Sequence, residues 1–277
     1  MNKLKAKLPQ IVLQVFLFVL CMIMLAPFAW VISTSLRLPA DSFKLPPSFF
    51  PTSFHYENYI AVFASFPFAK CIFNSLKIAV IVVASNIIIT TMAGYAFARI
   101  PFKGKNVVFM IILAGMMIPT QAKLVPTYLV MSKLGLVGSH AALILPAVIS
   151  PINIFFVRQF MMTIPASYEE AAYIDGAGRL KIWWRIFVPM SKSVIIMVSL
   201  LSFLASWNDF INPLIFLSKY EQMTLPLGLK TLSGAMNTGS ASIVLAGVTI
   251  SLIVPTLLYI FGQKHILQSA VMSGLKC

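Results

Sequence analysis

Acidic side chains are scarce in this chain: seven Asp and Glu stand against 21 Lys and Arg among 277 residues. Charged residues make up only 10% of the sequence, where a soluble domain carries about 25%. A chain that is 59% hydrophobic cannot bury all of that surface in its own core, so lipid must supply much of its solvent. Cysteine is nearly absent, and Cys21, Cys71 and Cys277 form no CxxC and share no metal spacing with a histidine. That excludes a disulfide framework and a zinc site. His55, His140 and His265 are dispersed with no cluster of acids or thiols, so no catalytic constellation is indicated. There is no GxxxxGK[ST]; Gly228-Leu229-Lys230-Thr231 has the wrong spacing to cradle phosphates. The net charge of +14 does not indicate nucleic acid, because the cations are scattered between apolar blocks and never gather on one face with stacking aromatics.

What the chain does have is long apolar runs. Blocks of about 20 residues, enough to cross a hydrocarbon core of about 30 Å, fall near 11–32, 72–97, 107–124, 141–160, 193–215 and 241–262. The expectation is an all-α membrane protein with six transmembrane helices. Lys3, Lys5 and Lys7 ahead of the first run look like a signal peptide, but the stretch from Ile11 to Ile32 is too long for one, and Leu20 before Cys21 spoils a lipoprotein cleavage site. The first segment therefore reads as a retained membrane helix. The third is bounded by Pro119 and Pro126, and Lys123 limits its depth.

Cations fix the orientation. Lys3, Lys5, Lys7, Arg99, Lys103, Lys105, Arg158, Arg179, Lys181, Arg185, Lys192, Lys264 and Lys276 fall on one side, which is cytoplasmic by the positive-inside rule, with both termini inside. The other side keeps Arg37, Lys44, Lys70, Lys123, Lys133, Lys219 and Lys230, with Asp41, Glu57 and Glu221 as partial balance. The first outer loop, about 33–71, is rich in proline and aromatics, among them Pro39, Pro46, Pro47, Pro51, Phe43, Phe49 and Tyr59. Two readings stand: a docking surface, or a packed cap over the helix ends.

Residues 161–192 form the longest cytoplasmic loop. From Pro165 to Pro189 it reads as two short helices around a turn: Ser167 as N-cap, Glu169 and Glu170 at the positive end of the dipole, and Asp175-Gly176 closing the first helix. The second, about 178–187, is expected to present Leu180, Ile182, Trp183, Ile186 and Phe187 as one apolar face and to end at Pro189.

Glu170-Ala171-Ala172, three residues, Gly176, nine residues, Ile186, one residue, Val188-Pro189 resembles the EAA loop of bacterial ABC importer permeases, with Val188 where the family has Leu. The resemblance continues through Asn74-Ser75, Ala93 to Arg99, Pro126-x-Tyr128, Gly135-Leu136, Ala142 to Pro146, Arg158-Gln159-Phe160 and Trp207 to Phe210, and these stretches are similar to the carbohydrate-uptake branch. The tail Ser273 to Cys277 keeps only the Gly and Lys of the family's usual ending.

The resemblance implies the type I ABC importer permease (MetI-like) fold with a cytoplasmic coupling helix. It implies an N-terminal helix and outer loop (1–70), a permease core (71–262) and a cytoplasmic tail (263–277). It also implies a multi-pass place in the bacterial inner membrane and no enzymatic activity or cofactor in this chain. ATP would be bound by two partner ATPase subunits, and the other partners would be a homologous second permease, an extracytoplasmic solute-binding protein and a sugar. The coupling role falls on Glu169, Glu170, Ala171, Ala172, Asp175, Gly176 and Ala177, with Glu170 as anionic anchor.

For the solute path, the candidates are polar groups inside apolar segments: Asn86, Asn153, Asn208 and Asp209, with Trp207 as an aromatic face. Asn86 and Asn153 serve equally well as interhelical hydrogen-bonding groups, and Asp209 as a helix-end residue. Pro213 and Pro255 either loosen their helices near the path or are simple kinks. Since the coupling loop does not report cargo, a glycerol phosphodiester or phosphate remains the alternative to a sugar. A secondary transporter, which needs midplane carboxylates, has only Asp209 to offer.

Overall fold

The computed structural model describes residues 2–38, 50, 54–235 and 241–274. Asp41, Lys44, Pro39, Pro46, Pro47, Pro51, Phe43, Phe49, Lys276 and Cys277 lie outside them, and of the tail through Lys264 and His265 only the helical backbone is described. The regular elements among the described residues are all helical, with no strand among them.

In chain order the helices are α1 (Asn2–Ser35), α2 (Glu57–Ser65), α3 (Phe68–Arg99), α4 (Lys105–Met117), α5 (Thr120–Lys133), α6 (Ala141–Ala147), α7 (Pro151–Met162), α8 (Ser167–Ile174), α9 (Arg179–Met190), α10 (Lys192–Trp207), α11 (Ile211–Phe216), α12 (Leu225–Ala235) and α13 (Ala241–Gly274). Four stretches are long and apolar enough to cross a membrane: Gln10–Ser35, Phe68–Arg99, Ala141–Met162 and Ala241–Gln263. Two bent pairs, α4 with α5 and α9 with α10, bring the number among the described residues to as many as six if each pair counts as one span.

The bends correct two expected boundaries. The third span does not run straight from 107 to 124, because α4 and α5 meet at 105°. Ile118 has φ −78° and ψ 118°, extended backbone, since the ring of Pro119 disfavours helical dihedrals in the residue before it. Pro126, Pro146 and Pro255 lie inside their helices. The fifth span stops at Trp207 instead of 215. There the Asp209 carboxylate accepts the backbone N–H of Asn212 at 3.2 Å and its side-chain amide at 2.8 Å, a local bonding pattern that starts the new short helix α11.

The chain divides into two compact units, Met1–Phe68 with Leu229–Ile253, and Ala69–Gly228 with Val254–Cys277. In the first, α2 is fastened to the end of α1: Asn58 Nδ2 donates to the carbonyls of Ser35 (2.9 Å) and Arg37 (2.8 Å), and the hydroxyls of Ser35 and Tyr59 are 2.7 Å apart. The described part of the first outer loop thus caps its helix end through Asn58 and Tyr59, while Phe50, Phe54 and Tyr56 stay exposed.

In the second unit, α3 and α7 meet so closely that a Cβ on Gly94 would lie 2.6 Å from Val157 Cγ1 and 3.2 Å from the backbone N of Arg158. Around this crossing Tyr95, Val157, Met161, Ile164, Ala172, Ile182, Phe187, Val194 and Val198 form one buried cluster. It joins α3, α7 and α10 to the 167–190 segment and so sets where that segment sits.

Candidate functional site

The 167–190 segment folds as α8, a tight turn and α9. Ala166 is the N-cap of α8, and no side chain caps it; Ser167 is already the first helical residue. The C-terminal end closes as the sequence suggests. Gly176 takes φ +74°, its N–H donates to the Tyr173 carbonyl (3.0 Å), and the Ala177 N–H reaches the Ala172 carbonyl (2.9 Å). This is a complete Schellman pair, and it requires the left-handed conformation that glycine adopts without penalty.

α9 departs from expectation. It continues through Pro189 to Met190, passing through a π turn at Trp183–Phe187. Proline has no N–H to donate, and the wider turn accommodates it. The extra residue in that turn rotates the rest of the helix, so Ile182 and Phe187 are buried but Leu180, expected on the same face, is 70% exposed.

The coupling candidates divide in two. Glu169, Ala172 and Ala177 face the body of the protein. Ala172 is in the buried cluster, Ala177 packs against it, and the Glu169 carboxylate accepts the hydroxyl of Tyr95 on α3 at 3.1 Å. Arg99, at the end of α3, donates to the carbonyls of Met161 (2.8 Å) and Ile164, and its guanidinium lies 5.1 Å from the centre of the Phe187 ring. Glu170, Ala171, Asp175 and Gly176 point outward, beside exposed Tyr173, Ile174 (87% exposed), Leu180 and Trp184. Tyr95, Arg99, Met161 and Ile164, which clamp the segment, were not among the sequence candidates; the chemical signal was a Tyr and an Arg spaced one helical turn apart at the end of a span.

A cavity of about 620 Å³ opens between α3, α5, α6, α7 and α10 to α11. Lys123, Asn153, Ser202, Ser206, Asp209 and Asn212 give its wall polar groups. Asn86 and Asn153 prove to be members of a buried network. Asn153 Nδ2 donates to Asn86 Oδ1 and to Ser202 Oγ, both at 2.8 Å, Thr90 Oγ1 donates to Asn86 Oδ1 at 3.2 Å, and Asn86 Nδ2 donates to the Val148 carbonyl at 3.1 Å. The network ties three spans together and engages the amide nitrogens of both residues and the Asn86 carbonyl; Asn153 borders the cavity and Asn86 does not.

Trp207 is buried and stacked on Phe203, with centroids 5.5 Å apart and planes 19° apart, so it offers no free face to a ligand. Asn208 is exposed and caps α10 through its backbone, its N–H donating to the Leu204 carbonyl at 3.1 Å. Asp209 lines the cavity while also starting α11. Ser202, Ser206 and Asp209 follow a helical stripe that was readable in advance; Lys123 and Asn212 reach the same wall only through the folds at Ile118 and Asn208. Among the described residues no group of His, Cys, Asp or Glu is arranged to hold a metal.

Similarity to known proteins decides the family. The family model for the binding-protein-dependent transport system inner membrane component matches residues 86–268, which include the 167–190 segment and most of the cavity wall. The chain belongs to this family. The permease is 33% identical over 229 residues to the arabinooligosaccharides transport system permease protein AraQ of Halalkalibacterium halodurans, covering 82% of each chain. It is 27% identical to the lactose transport system permease protein LacG of Rhizobium radiobacter over 100% of both. Its fold matches a chain from the crystal structure of a bacterial ABC transporter involved in the import of the acidic polysaccharide alginate, with a TM-score of 0.83, 25% identity, and coverage of 95% of this chain and 98% of that one. The permease is therefore an all-helical, multi-pass membrane transport component of the ABC importer type.

Proposed function

We propose that this permease is one half of the translocation path of an ATP-driven sugar importer, with an oligosaccharide as cargo. A homologous second permease supplies the other half, two ATPase subunits work on the cytoplasmic side, and an extracytoplasmic solute-binding protein delivers the sugar. Support for the cargo comes from relatives named for arabinooligosaccharides and lactose, matched over most or all of their length. Both termini lie in the cytoplasm of a bacterial cell, in line with the distribution of Lys and Arg. The chain is organised as N-terminal span and outer loop (1–70), permease core (71–262) with its coupling loop at 161–192, and cytoplasmic tail (263–277).

The observation that carries the coupling role is the two-sidedness of α8. Its inner residues are fixed to α3, α7 and α10, while Glu170 presents a carboxylate unpaired among the described residues, beside exposed Ile174 and Leu180. A basic residue in a cleft of the ATPase would pair with Glu170, and apolar side chains would cover Ile174 and Leu180. Closure of the ATPases then displaces the segment, and the attached spans turn with it as a body. The cavity would hold sugar hydroxyls through Ser206, Asn212 and Asp209, wall groups outside the Asn86–Asn153 network that keep bonding capacity beyond the Asp209–Asn212 pair. Lys123 and Asp209 put both signs of charge on that wall, which favours a neutral cargo over an anionic one.

The test is to co-purify the permease with its neighbouring subunits and measure ATPase stimulation by a panel of binding proteins loaded with neutral oligosaccharides, acidic sugars, or glycerol phosphodiesters. Stimulation by a neutral oligosaccharide alone supports the reading. Stimulation by a phosphodiester alone replaces the cargo, and ATP-independent uptake overturns the reading entirely.

A further inference from the structure

A second concavity, of about 760 Å³, lies away from the transport cavity, where α3 turns into α4 against the end of α7. Its wall carries Lys103, Lys105 and Arg158, with no carboxylate among its lining residues. Two of these cations are held in place: Lys105 Nζ donates to the Ala98 carbonyl at 3.3 Å, and Arg158 Nε donates to the Phe97 carbonyl at 3.1 Å while its guanidinium lies 4.2 Å from the centre of the Phe109 ring. Both orientations leave further N–H groups unused, since Lys has three donors and Arg five. Lys103 is exposed and forms no side-chain hydrogen bond or ion pair among the described residues.

Three cations gathered around one mouth repel one another, and an anion bound between them would relieve that repulsion. Next to the cup, Val107, Met110, Ile111 and Ala114 are placed at i, i+3, i+4 and i+7, and the first three are exposed, so one face of α4 presents an apolar strip that begins at the cationic mouth. A charged mouth continuous with an apolar strip, at the end of a membrane-spanning helix, has the two-part chemistry of a phospholipid: phosphate at the interface, acyl chain along the helix.

We propose that this cup is a binding site for the headgroup of an acidic phospholipid, with the phosphate held by Lys103, Lys105 and Arg158 and an acyl chain lying along α4. The site is separate from the proposed transport role and does not depend on the identity of the cargo. It would tie the α3–α4 turn, which adjoins the Arg99 clamp on the coupling segment, to the lipid composition of the membrane.

The experiment is native mass spectrometry of the purified transporter, this chain with its partner subunits, delipidated and then supplied with phosphatidylglycerol, phosphatidylcholine or inorganic phosphate. Phosphatidylglycerol adducts are expected to exceed phosphatidylcholine adducts by about fivefold or more, at about fivefold per cation near the surface. Lys103→Gln with Lys105→Gln should bring the two lipids level, while Lys133→Gln, which removes a cation elsewhere, should leave the preference intact. Lys103→Gln alone, at a position with no contacts to lose, should remove part of the preference and keeps the test decisive if the double variant fails to assemble. Equal retention of both lipids by the unmodified transporter, or an unchanged preference in the lysine variants, overturns the proposal. Binding of inorganic phosphate without any lipid preference also overturns it and makes the cup a site for a soluble anion.

Discussion

The 167–190 segment and the cavity of about 620 Å³, both in the second compact unit and proposed to couple and to pass solute, are built on opposite plans. In the 167–190 segment nearly every inward side chain is buried or clamped: Ala172 and Phe187 in the core, Glu169 on Tyr95, and Arg99 across the carbonyls of Met161 and Ile164. Around the cavity the polar groups divide between a buried hydrogen-bonded network, Asn86, Asn153 and Ser202, and a rim of Lys123, Ser206 and Asn212. The side chains of Lys123 and Asn212 each make one local bond, to the Gly115 carbonyl and to Asp209, and keep further donors. Under the proposed roles, a part that receives force must move with its neighbours and so needs dense packing. A part that passes solute needs polar groups whose bonding capacity is left over. Both features share one span: α7 carries Val157 and Met161 in the packed cluster and Asn153 in the cavity wall.

Substitutions can break this contrast, and the largest effect should come from charge reversal at the outward face. Glu170→Lys is expected to abolish uptake while leaving the protein in the membrane, measured by transport and by quantifying the membrane fraction, because Glu170 supports nothing among the described residues. Gly176→Val comes next. At φ +74° a β-branched residue is strained by about 1–2 kcal/mol with nothing near it to clash, so coupling of ATP hydrolysis to uptake should fall by roughly tenfold or more.

Two smaller substitutions sharpen the division within the cavity. Asn153→Ala removes donors to two buried partners and should cost about 1–3 kcal/mol, seen as a lower thermal midpoint with the apparent affinity for sugar little changed. Asn212→Ala should do the reverse, weakening apparent affinity several-fold with a smaller loss of thermal stability.

The smallest effect concerns His140, outside the spans, whose ring nitrogen lies 2.8 Å from the Gln222 carbonyl. Burial holds its pKa below the ordinary histidine value, Lys77 adds to the lowering, and the Gln222 carbonyl opposes it. The unfolded chain therefore binds the proton more readily. Stability should rise with pH up to the ordinary histidine range and then level off, and thermal melts of His140→Gln across pH 5 to about 8 should lose that slope.

The local structure of the 167–190 segment was largely legible because its determinants are local. Gly176 sits where a positive φ is needed, and the Glu-Ala-Ala run fits a short helix with one small-residue face. Leu180 was misplaced because a 3.6-residue period puts it in line with Phe187, and the π turn between them, which accommodates Pro189, is not visible in a periodic pattern. The bend at Ile118 obeys a local rule set by Pro119, yet an apolar run averaged over 18 residues passes across it. The cavity was least legible. Asn86, Asn153, Trp207 and Asp209 could all be singled out as polar or aromatic groups in apolar surroundings, but which of them is satisfied, stacked or open depends on how three spans converge. Lys123 and Asn212 come to the wall only through that convergence.

The most direct test of the central claim is a distance. Spin labels at Ile174, on the exposed tip of α8, and at Met162, at the end of α7, would be tracked by pulsed electron resonance in the reconstituted transporter with and without ATP. The welded segment predicts a separation constant to within about 2 Å across the cycle while uptake proceeds, because segment and span move as one body. A change of more than about 5 Å would show that the segment swings independently of the spans, and would contradict the account.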